Sequence, residues 1–332
     1  MTLQEILIAA KRIDGVIHKT TTWRSHTFSQ MCGNEIYLKS ENAQRTGSFK
    51  VRGAYNKIAR MVKSGNKPEA IIASSAGNHA QGVAYAAVSM GIKPVIVMPK
   101  TATKAKRDAT KGYGAEVILE GKNFEEAFEA AKLIAEERKL TFIHAYNDED
   151  IIAGQGTIAL EILNDVPEAD VIIVPVGGGG LLAGIAFAAK HINPDIKVIG
   201  VQAENANAAV QSFEAKERIW TEQAATIADG IAIKYPGKIA LDLIFKYVDE
   251  MVTVSDEEIE ETMFLLLERA KALVEPAGAV ALAYALSGRM PYKKKKIVCV
   301  LSGGNVDIML IHKILSEHCT TDACERVPSE KT

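Results

Sequence analysis

Apolar and polar residues along this chain follow two alternating periodicities, which predict most of its fold. Between about residues 70 and 143, each short apolar run is followed by a stretch whose apolar residues have helical spacing. That order is typical of parallel βαβ units. The predicted strands lie at 70–74, 94–98, 115–119 and 141–143, and the predicted helices at 79–90, 102–111 and 123–138.

The same order returns in the second half of the chain, so we predict an α/β fold with two doubly wound parallel sheets. Residues 18–25 and 204–236 carry no regular pattern. The remaining predicted strands lie at 35–39, 171–176, 197–202, 251–253 and 297–301. The remaining predicted helices lie at 3–15, 28–31, 151–164, 181–191, 237–246, 255–271 and 276–286.

Two glycine patterns refine this picture. Gly154 and Gly156 inside a predicted helix indicate that another backbone approaches it closely. Residues 171–189 carry no charge and could be mistaken for a membrane span. Because Pro175 and four glycines interrupt the run, we predict a strand, a tight turn and a buried helix instead.

Composition narrows the possible partners. The chain has 332 residues, of which 48% are hydrophobic and 24% charged, and its net charge of −2 provides no positive field for nucleic acid. The basic run 293–296 is interpreted as a solvated turn. Four cysteines without a CxxC pair and seven scattered histidines predict neither disulfides nor a metal site, and they favour a reducing, cytoplasmic location. Thr2 and Glu5 predict a helix capping box rather than a secretory signal, and no membrane association is expected.

Three strand ends carry turns of small residues, at 74–79, 177–181 and 302–305. Ligands of open parallel sheets bind beyond the carboxyl ends of the strands, so these turns predict the site. Four successive glycines allow backbone N–H groups to surround a phosphate at a helix start. A nicotinamide-binding turn is the alternative, although Gln202 stands where an acidic ribose ligand is expected. A glycine turn that serves only packing also remains open.

The residues after Lys50, at 54–64, are predicted to form a helix, so that Lys50 would lie in its first turn. A cation in the first helical turn is unusual, because the N–H groups there favour anions. Lys50 is therefore either an exposed side chain or an amine neutralised as a Schiff base.

Five motifs taken together resemble the pyridoxal-phosphate (PLP) threonine/serine dehydratase family. They are Ser-Phe-Lys-Val-Arg-Gly at 48–53, Ser-Ala-Gly-Asn-His at 75–79, the glycines at 177–180, Glu-Pro-Ala-Gly-Ala at 275–279 and Ser-Gly-Gly-Asn at 302–305. The likeness extends over about residues 5–318 and is greatest to the short, catabolic-type threonine dehydratases. It implies the tryptophan-synthase-β-like architecture, called PLP fold type II. It further implies a large PLP-binding domain (1–62 and 148–320), a small domain (70–147) that closes over the substrate, and a disordered tail (321–332).

The resemblance also implies roles for individual residues. Lys50 is implied to be the Schiff-base lysine and catalytic base, beside Phe49. The other implied PLP contacts are Asn78, Gly177, Gly178, Gly179, Gly180, Leu181 and Ser302. The implied site for the substrate carboxylate is Ser75, Ala76, Gly77, Asn78 and His79. We interpret His79 as a helix-start residue with a local hydrogen bond, and Glu275 as either a pocket residue or half of a structural pair.

The implied reaction is deamination of L-threonine to 2-oxobutanoate and ammonia, with L-serine giving pyruvate. Ser302 cannot hold a proton on the cofactor ring nitrogen as a carboxylate would, which favours prompt β-elimination. Alternatives are a serine racemase or a 3-hydroxyaspartate dehydratase of the same fold, an oxidoreductase, and a non-catalytic binder. The position of a catalytic serine in related racemases is Ala76 here, and no metal is expected. A homodimer or homotetramer is implied.

Overall fold

A computed structural model of the protein describes the backbone of residues 1–322 and the side chains of residues 1–318. Its strands are β1 (Thr22–Ser25), β2 (Glu35–Ser40), β3 (Ala70–Ser74), β4 (Lys93–Met98), β5 (Glu116–Leu119), β6 (Thr141–Phe142), β7 (Val171–Pro175), β8 (Lys197–Ala203), β9 (Glu250–Val254) and β10 (Lys296–Leu301). Its helices are α1 (Leu3–Ile13), α2 (His26–Cys32), α3 (Lys50–Lys63), α4 (Asn78–Ser89), α5 (Lys104–Gly112), α6 (Phe124–Glu137), α7 (Glu149–Asp165), α8 (Gly180–Ile192), α9 (Ala208–Ala215), α10 (Lys238–Tyr247), α11 (Asp256–Leu265), α12 (Pro276–Leu286) and α13 (Ile308–Asp322).

Two open sheets confirm the predicted α/β class. The larger sheet has the strand order β1-β2-β10-β7-β8-β9, and the smaller one has the order β5-β4-β3-β6. All neighbouring strands are parallel except β1 and β2. Buried apolar side chains pack on both faces of each sheet. Leu301 of β10 lies opposite Ser40 of β2, so the carboxyl ends of the central strands share one edge.

Helix α7 connects the two chain segments that carry the most informative motifs. A Cβ atom at Gly154 would lie 2.6 Å from the Cα of Gly53 in α3. Half a turn later, a Cβ at Gly156 would lie 2.9 Å from the Gly184 carbonyl oxygen in α8. The predicted close approach is thus confirmed on two sides of the helix. Helix α7 therefore packs closely against both α3, which begins with Lys50, and α8, which begins at the last of the four glycines.

Two stretches without a sequence pattern turn out to be structured. Strand β1 lies within residues 18–25, where four residues are too few to show alternation, and it pairs antiparallel with β2. Helix α9 lies within residues 204–236. Its first N–H groups are satisfied from outside, since Gln202 Oε1 accepts from Ala209 and Val210 at 2.8 and 2.9 Å. No local capping residue could therefore reveal this helix.

Other boundaries also differ from the prediction. The single helix expected at 255–271 is α11 followed by a π-helical turn, Leu266–Ala270. The run 171–189 forms β7, a turn and most of α8, as predicted. Within the described part of the chain, no helix combines the length and the apolar character needed to cross a bilayer. Helix α13 continues to Asp322, and the rest of the predicted tail, residues 323–332, lies outside the described residues.

Candidate active site

A cavity of about 550 Å³ opens beyond the carboxyl ends of the strands of both sheets. Its size suits a small-molecule ligand. Every residue for which the sequence suggested a role lies in its wall. These residues are Phe49, Lys50, Ser75, Ala76, Gly77, Asn78, His79, Gly177, Gly178, Gly179, Gly180, Leu181, Glu275 and Ser302. The structure thus brings five motifs, separated by more than 200 residues along the chain, into one site.

Lys50 is the first residue of α3 and places its amine inside this cavity. Removal from bulk water lowers the pKa of the amine to about 8, and the Glu275 carboxyl nearby partly opposes that shift. The amine donates a hydrogen bond to the Ala145 carbonyl oxygen at 3.3 Å. Because the pKa is lowered, more of the Lys50 amine is uncharged near neutral pH than in an ordinary lysine, and the uncharged amine can act as a nucleophile or accept a proton.

The turn at 177–180 presents unpaired backbone donors to the cavity. The N–H groups of Gly178, Gly179, Gly180 and Leu181 donate to no acceptor among the described residues. Gly179 has φ +93 and stands at the N-cap of α8 without a side-chain cap. Buried unpaired N–H groups are costly, and here they meet the positive end of a helix dipole. The turn can therefore hold a phosphate.

Glycine is required in this turn by the neighbouring tyrosine. A Cβ at Gly178 would lie 2.3 to 2.4 Å from three ring atoms of Tyr146, and one at Gly180 would lie 2.9 Å from the Tyr146 carbonyl oxygen. The Tyr146 hydroxyl donates to the Tyr235 carbonyl oxygen at 3.3 Å. The aromatic ring thus lies directly against the turn.

The start of α4 offers a second set of free donors. Gly77 occupies its N-cap without a side-chain hydrogen bond to the helix, and the N–H groups of Asn78 and His79 have no acceptor among the described residues. The Ser75 hydroxyl accepts from the Gly77 N–H at 3.1 Å and shapes the turn. A carboxylate is the anion that suits this small polar corner of the cavity.

His79 is buried, and its Nε2 donates to the Ile143 carbonyl oxygen at 3.0 Å. The partner lies at the end of β6, so the expectation of a local hydrogen bond was wrong. Burial, reinforced by the positive charge of Lys50, lowers the pKa of His79 to about 3. The ring therefore stays neutral at physiological pH and fixes α4 against β6.

Backbone contacts join Lys50 to the end of β10. The Phe49 N–H donates to the Ser302 carbonyl oxygen at 3.1 Å, and Ser48 forms an isolated antiparallel bridge with Gly303. The Phe49 ring centroid lies 5.2 Å from the Lys50 amine. Ser302 is buried, and its hydroxyl makes a long contact of 3.4 Å with the Ala277 carbonyl oxygen. That weak bond leaves the hydroxyl available to a ligand.

Glu275 lines the cavity and is also paired. Its side chain accepts from Asn78 Nδ2 at 2.6 Å, and the residue is only 6% exposed. Burial raises the pKa of its carboxyl to about 8, and the Asp229 charge adds to the increase. The two interpretations that the sequence left open thus both describe this residue.

Several residues of the cavity wall carried no sequence signal that we recognised, among them Tyr146, Lys106 and Asp229. Asn305 lies in the predicted 302–305 turn, but the sequence assigned it no role of its own. Lys106 and Asp229 form an ion pair of 2.6 Å that connects α5 to the loop before α10. Asp229 lies in the stretch without a pattern, so no sequence signal pointed to it. Tyr146 follows the end of strand β6, and the rule that ligands bind beyond strand ends could have identified it.

Comparison with known proteins decides the family. The family model described as "Pyridoxal-phosphate dependent enzyme" matches residues 13–303. The chain belongs to this family of PLP-dependent enzymes. The L-threonine ammonia-lyase of Thermotoga maritima is 48% identical over 96% of this chain and 79% of its own length. The catabolic L-threonine dehydratase TdcB of Escherichia coli K12 is 44% identical over 95% of this chain and 96% of its own.

Solved structures agree with this PLP-enzyme fold. The processed form of threonine deaminase isoform 2 from Solanum lycopersicum superimposes with a TM-score of 0.90 at 33% identity, over 95% of this chain and 87% of that one. Maize serine racemase gives a TM-score of 0.89 at 35% identity, over 96% and 98% of the two chains. The predicted PLP fold type II architecture is therefore confirmed.

The residues present fit the cofactor of the family. Unpaired buried N–H groups at 178–181 suit its phosphate, Lys50 provides an amine of lowered pKa, and Ser302 provides a weakly engaged hydroxyl. Among the described residues, no group of three or more His, Cys, Asp or Glu side chains is placed to hold a metal ion.

Proposed function

We propose that this chain is an ammonia-lyase that converts L-threonine to 2-oxobutanoate and ammonia, and L-serine to pyruvate and ammonia. The observation that carries the proposal is the full-length similarity, at 44 to 48% identity, to proteins named for threonine deamination. The cavity supports it with the half-buried Lys50 amine and with two turns whose unpaired backbone N–H groups can bind anions. Water leaves and is consumed again in the overall reaction, so no co-reactant is required.

In this proposal each cavity wall has one task. The amides at 178–181 would hold the cofactor phosphate, Lys50 would bear the cofactor covalently before the substrate binds and be a free amine afterwards, and Ser302 and Phe49 would lie beside the cofactor ring. The N–H groups of the turn at 75–79 bind the substrate carboxylate. PLP, when bound, supplies the electron sink for negative charge at the substrate Cα. Lys50 accepts the proton from Cα, for which its pKa of about 8 is well matched.

The test is replacement of the base. Lys50→Ala removes the amine but no packed core group, so the variant stays folded and forms no 2-oxo acid. Lys63→Ala, at the exposed far end of the same helix, is the matched control and keeps full activity. Appreciable turnover by Lys50→Ala would overturn the assignment.

A racemase is the second candidate, because maize serine racemase is a close structural neighbour. Ala76 argues against it: racemisation needs a second acid/base group on the opposite face of the substrate, and a methyl group carries no proton. Chiral chromatography after incubation with L-serine separates the candidates. Pyruvate should greatly exceed D-serine. A panel that includes 3-hydroxyaspartate completes the assay.

We also propose that residues 70–147 form a small domain that closes over the substrate against 1–62 and 148–320. The Lys106 to Asp229 ion pair and the Tyr146 to Tyr235 hydrogen bond, which cross between these segments, support this proposal. Hydrogen exchange of 70–147 should slow when an unreactive substrate analogue binds.

We propose finally that the protein is a homodimer or homotetramer of a reducing compartment such as the cytoplasm. The free Cys32 and Cys299 thiols support the compartment, and membership of the PLP-enzyme family underlies the oligomer proposal. Analytical ultracentrifugation measures the oligomeric state directly.

A further inference from the structure

The oxygen and the nitrogen of the Asn78 side-chain amide are each held by a residue that lies next to the larger sheet. Its Nδ2 donates to Glu275 Oε1 at 2.6 Å, and its Oδ1 accepts from Asn305 Nδ2 at 2.7 Å. Asn78 begins α4, whereas Glu275 precedes α12 and Asn305 follows β10. Two partners from the segments around the larger sheet thus fix a residue at the start of a helix that packs on the smaller sheet.

These partners allow only one orientation of the amide. If the Asn78 amide were turned over, its oxygen would face Glu275 Oε1 and its nitrogen would face the Asn305 amide nitrogen. Asn305 is itself held, because its Nδ2 also donates to the Thr46 carbonyl oxygen at 2.9 Å. Asn78 uses one of its two N–H bonds on Glu275, so the second remains free in the cavity wall.

Glu275 is suited to this task by its surroundings. A Cβ at Gly303 would lie 2.3 Å from Glu275 Oε1, so the backbone of the 302–305 turn confines the carboxyl. Gly230 approaches from another side, where an added Cβ would lie 3.7 Å from the same oxygen. A carboxyl oxygen accepts from Asn78 in either protonation state, so the contact persists across the physiological pH range.

We propose that Glu275 and Asn305 are positioning residues that fix the Asn78 amide so that its free N–H points to the ring oxygen of PLP. This inference rests on the proposed function, in which Asn78 contacts the cofactor. It assigns a task to Asn305 and gives Glu275 a role through Asn78 rather than on the substrate.

The experiment is a double-mutant cycle on cofactor affinity. Glu275→Leu removes the acceptor and Asn305→Ala removes the donor, while Glu275→Gln keeps an oxygen that can accept. Equilibrium dialysis of each holoenzyme, followed by visible absorbance, gives the PLP dissociation constant. We expect Glu275→Leu and Asn305→Ala each to weaken PLP binding about tenfold, because an Asn78 amide that is no longer fixed loses its hydrogen bond to the cofactor. Glu275→Gln should remain within about threefold of the parent, since it keeps that bond.

The decisive comparison uses Asn78→Ala as background. If both partners act through Asn78, they have no further effect on PLP affinity once its amide is gone. Equal losses with and without Asn78 would overturn the inference, as would unchanged affinity in the single variants. Asn305 is exposed, so its variant tests the inference even if Glu275→Leu fails to fold. The proposed function is tested separately by the visible PLP absorbance and the 2-oxo acid formation of the parent protein, which do not depend on the outcome for these variants.

Discussion

The tight contact between the glycine turn and Tyr146 makes Gly178→Ala a sharp test of the site. The new Cβ would lie 2.3 Å from Tyr146 Cγ and 2.4 Å from Cδ1 and Cδ2, whereas ordinary contacts begin near 3.4 Å. The ring must therefore withdraw by about 1 Å. Its retreat is restrained, because a Cβ at Gly237 would lie only 3.0 Å from Tyr146 Cδ2 and His144 packs edge-on at 4.7 Å.

Overpacking of this kind costs about 1 to 3 kcal/mol. We expect Gly178→Ala to lower the free energy of unfolding of the PLP-free protein by that amount, measured by urea denaturation. Because the turn amides shift together with the backbone, PLP binding should weaken about tenfold or more. Gly112→Ala is the matched control, since a Cβ there meets nothing within 4 Å. It should leave PLP affinity unchanged and the protein as stable as the parent or slightly more stable.

Removal of the Tyr146 ring tests whether its contact with the new Cβ causes the loss of stability in Gly178→Ala. In a Tyr146→Ala background the added methyl group has room, so Gly178→Ala should cost far less there, with a coupling of about 1 to 3 kcal/mol. If Gly178→Ala behaved like Gly112→Ala, or if Tyr146→Ala gave no relief, the proposed role of this contact would be wrong.

Three further predictions concern the rest of the site. Ala76→Ser should increase the ratio of D-serine to pyruvate in chiral chromatography, because it supplies a proton-carrying group where the methyl stands; an unchanged ratio would remove the argument against racemisation. EDTA should leave activity unchanged, since Gln202 and Ala208 provide no charged oxygen ligand after β8, and a loss that Mg²⁺ restores would contradict this. The pKa of His79 is lowered to about 3, so the folded protein does not bind the proton that the unfolded chain takes up near pH 6.5. The free energy of unfolding should therefore fall as the pH decreases from 6.5 towards 3, by at most about 1.4 kcal/mol per pH unit. His79→Gln, which keeps an N–H donor for Ile143, should reduce this pH dependence in urea titrations, and an unchanged dependence would refute the assignment.

The strands and helices with strong periodicity could be predicted from the sequence because their buried apolar residues recur at regular spacing. The cavity could also be placed, since the turns at 74–79, 177–181 and 302–305 each follow the carboxyl end of a parallel strand, where ligands of such sheets bind. The four-residue strand β1 and helix α9 escaped prediction for a different reason. Their stability comes from partners distant in sequence or outside the helix, strand β2 and Gln202, and neither element has a local signal.

The pKa values of the groups in the site could not be predicted from the sequence either. The pKa of Lys50 is lowered to about 8 and that of Glu275 is raised to about 8, because burial disfavours the charged form of each group. The Glu275 charge partly opposes the decrease at Lys50, and the Lys50 charge partly opposes the increase at Glu275. The position of the Glu275 carboxyl depends on Gly303, whose missing side chain leaves room for it, and the position of α3 depends on the Gly53 to Gly154 contact with α7. The sequence predicted the close approach at Gly154, but it did not show that Gly303 borders the Glu275 carboxyl.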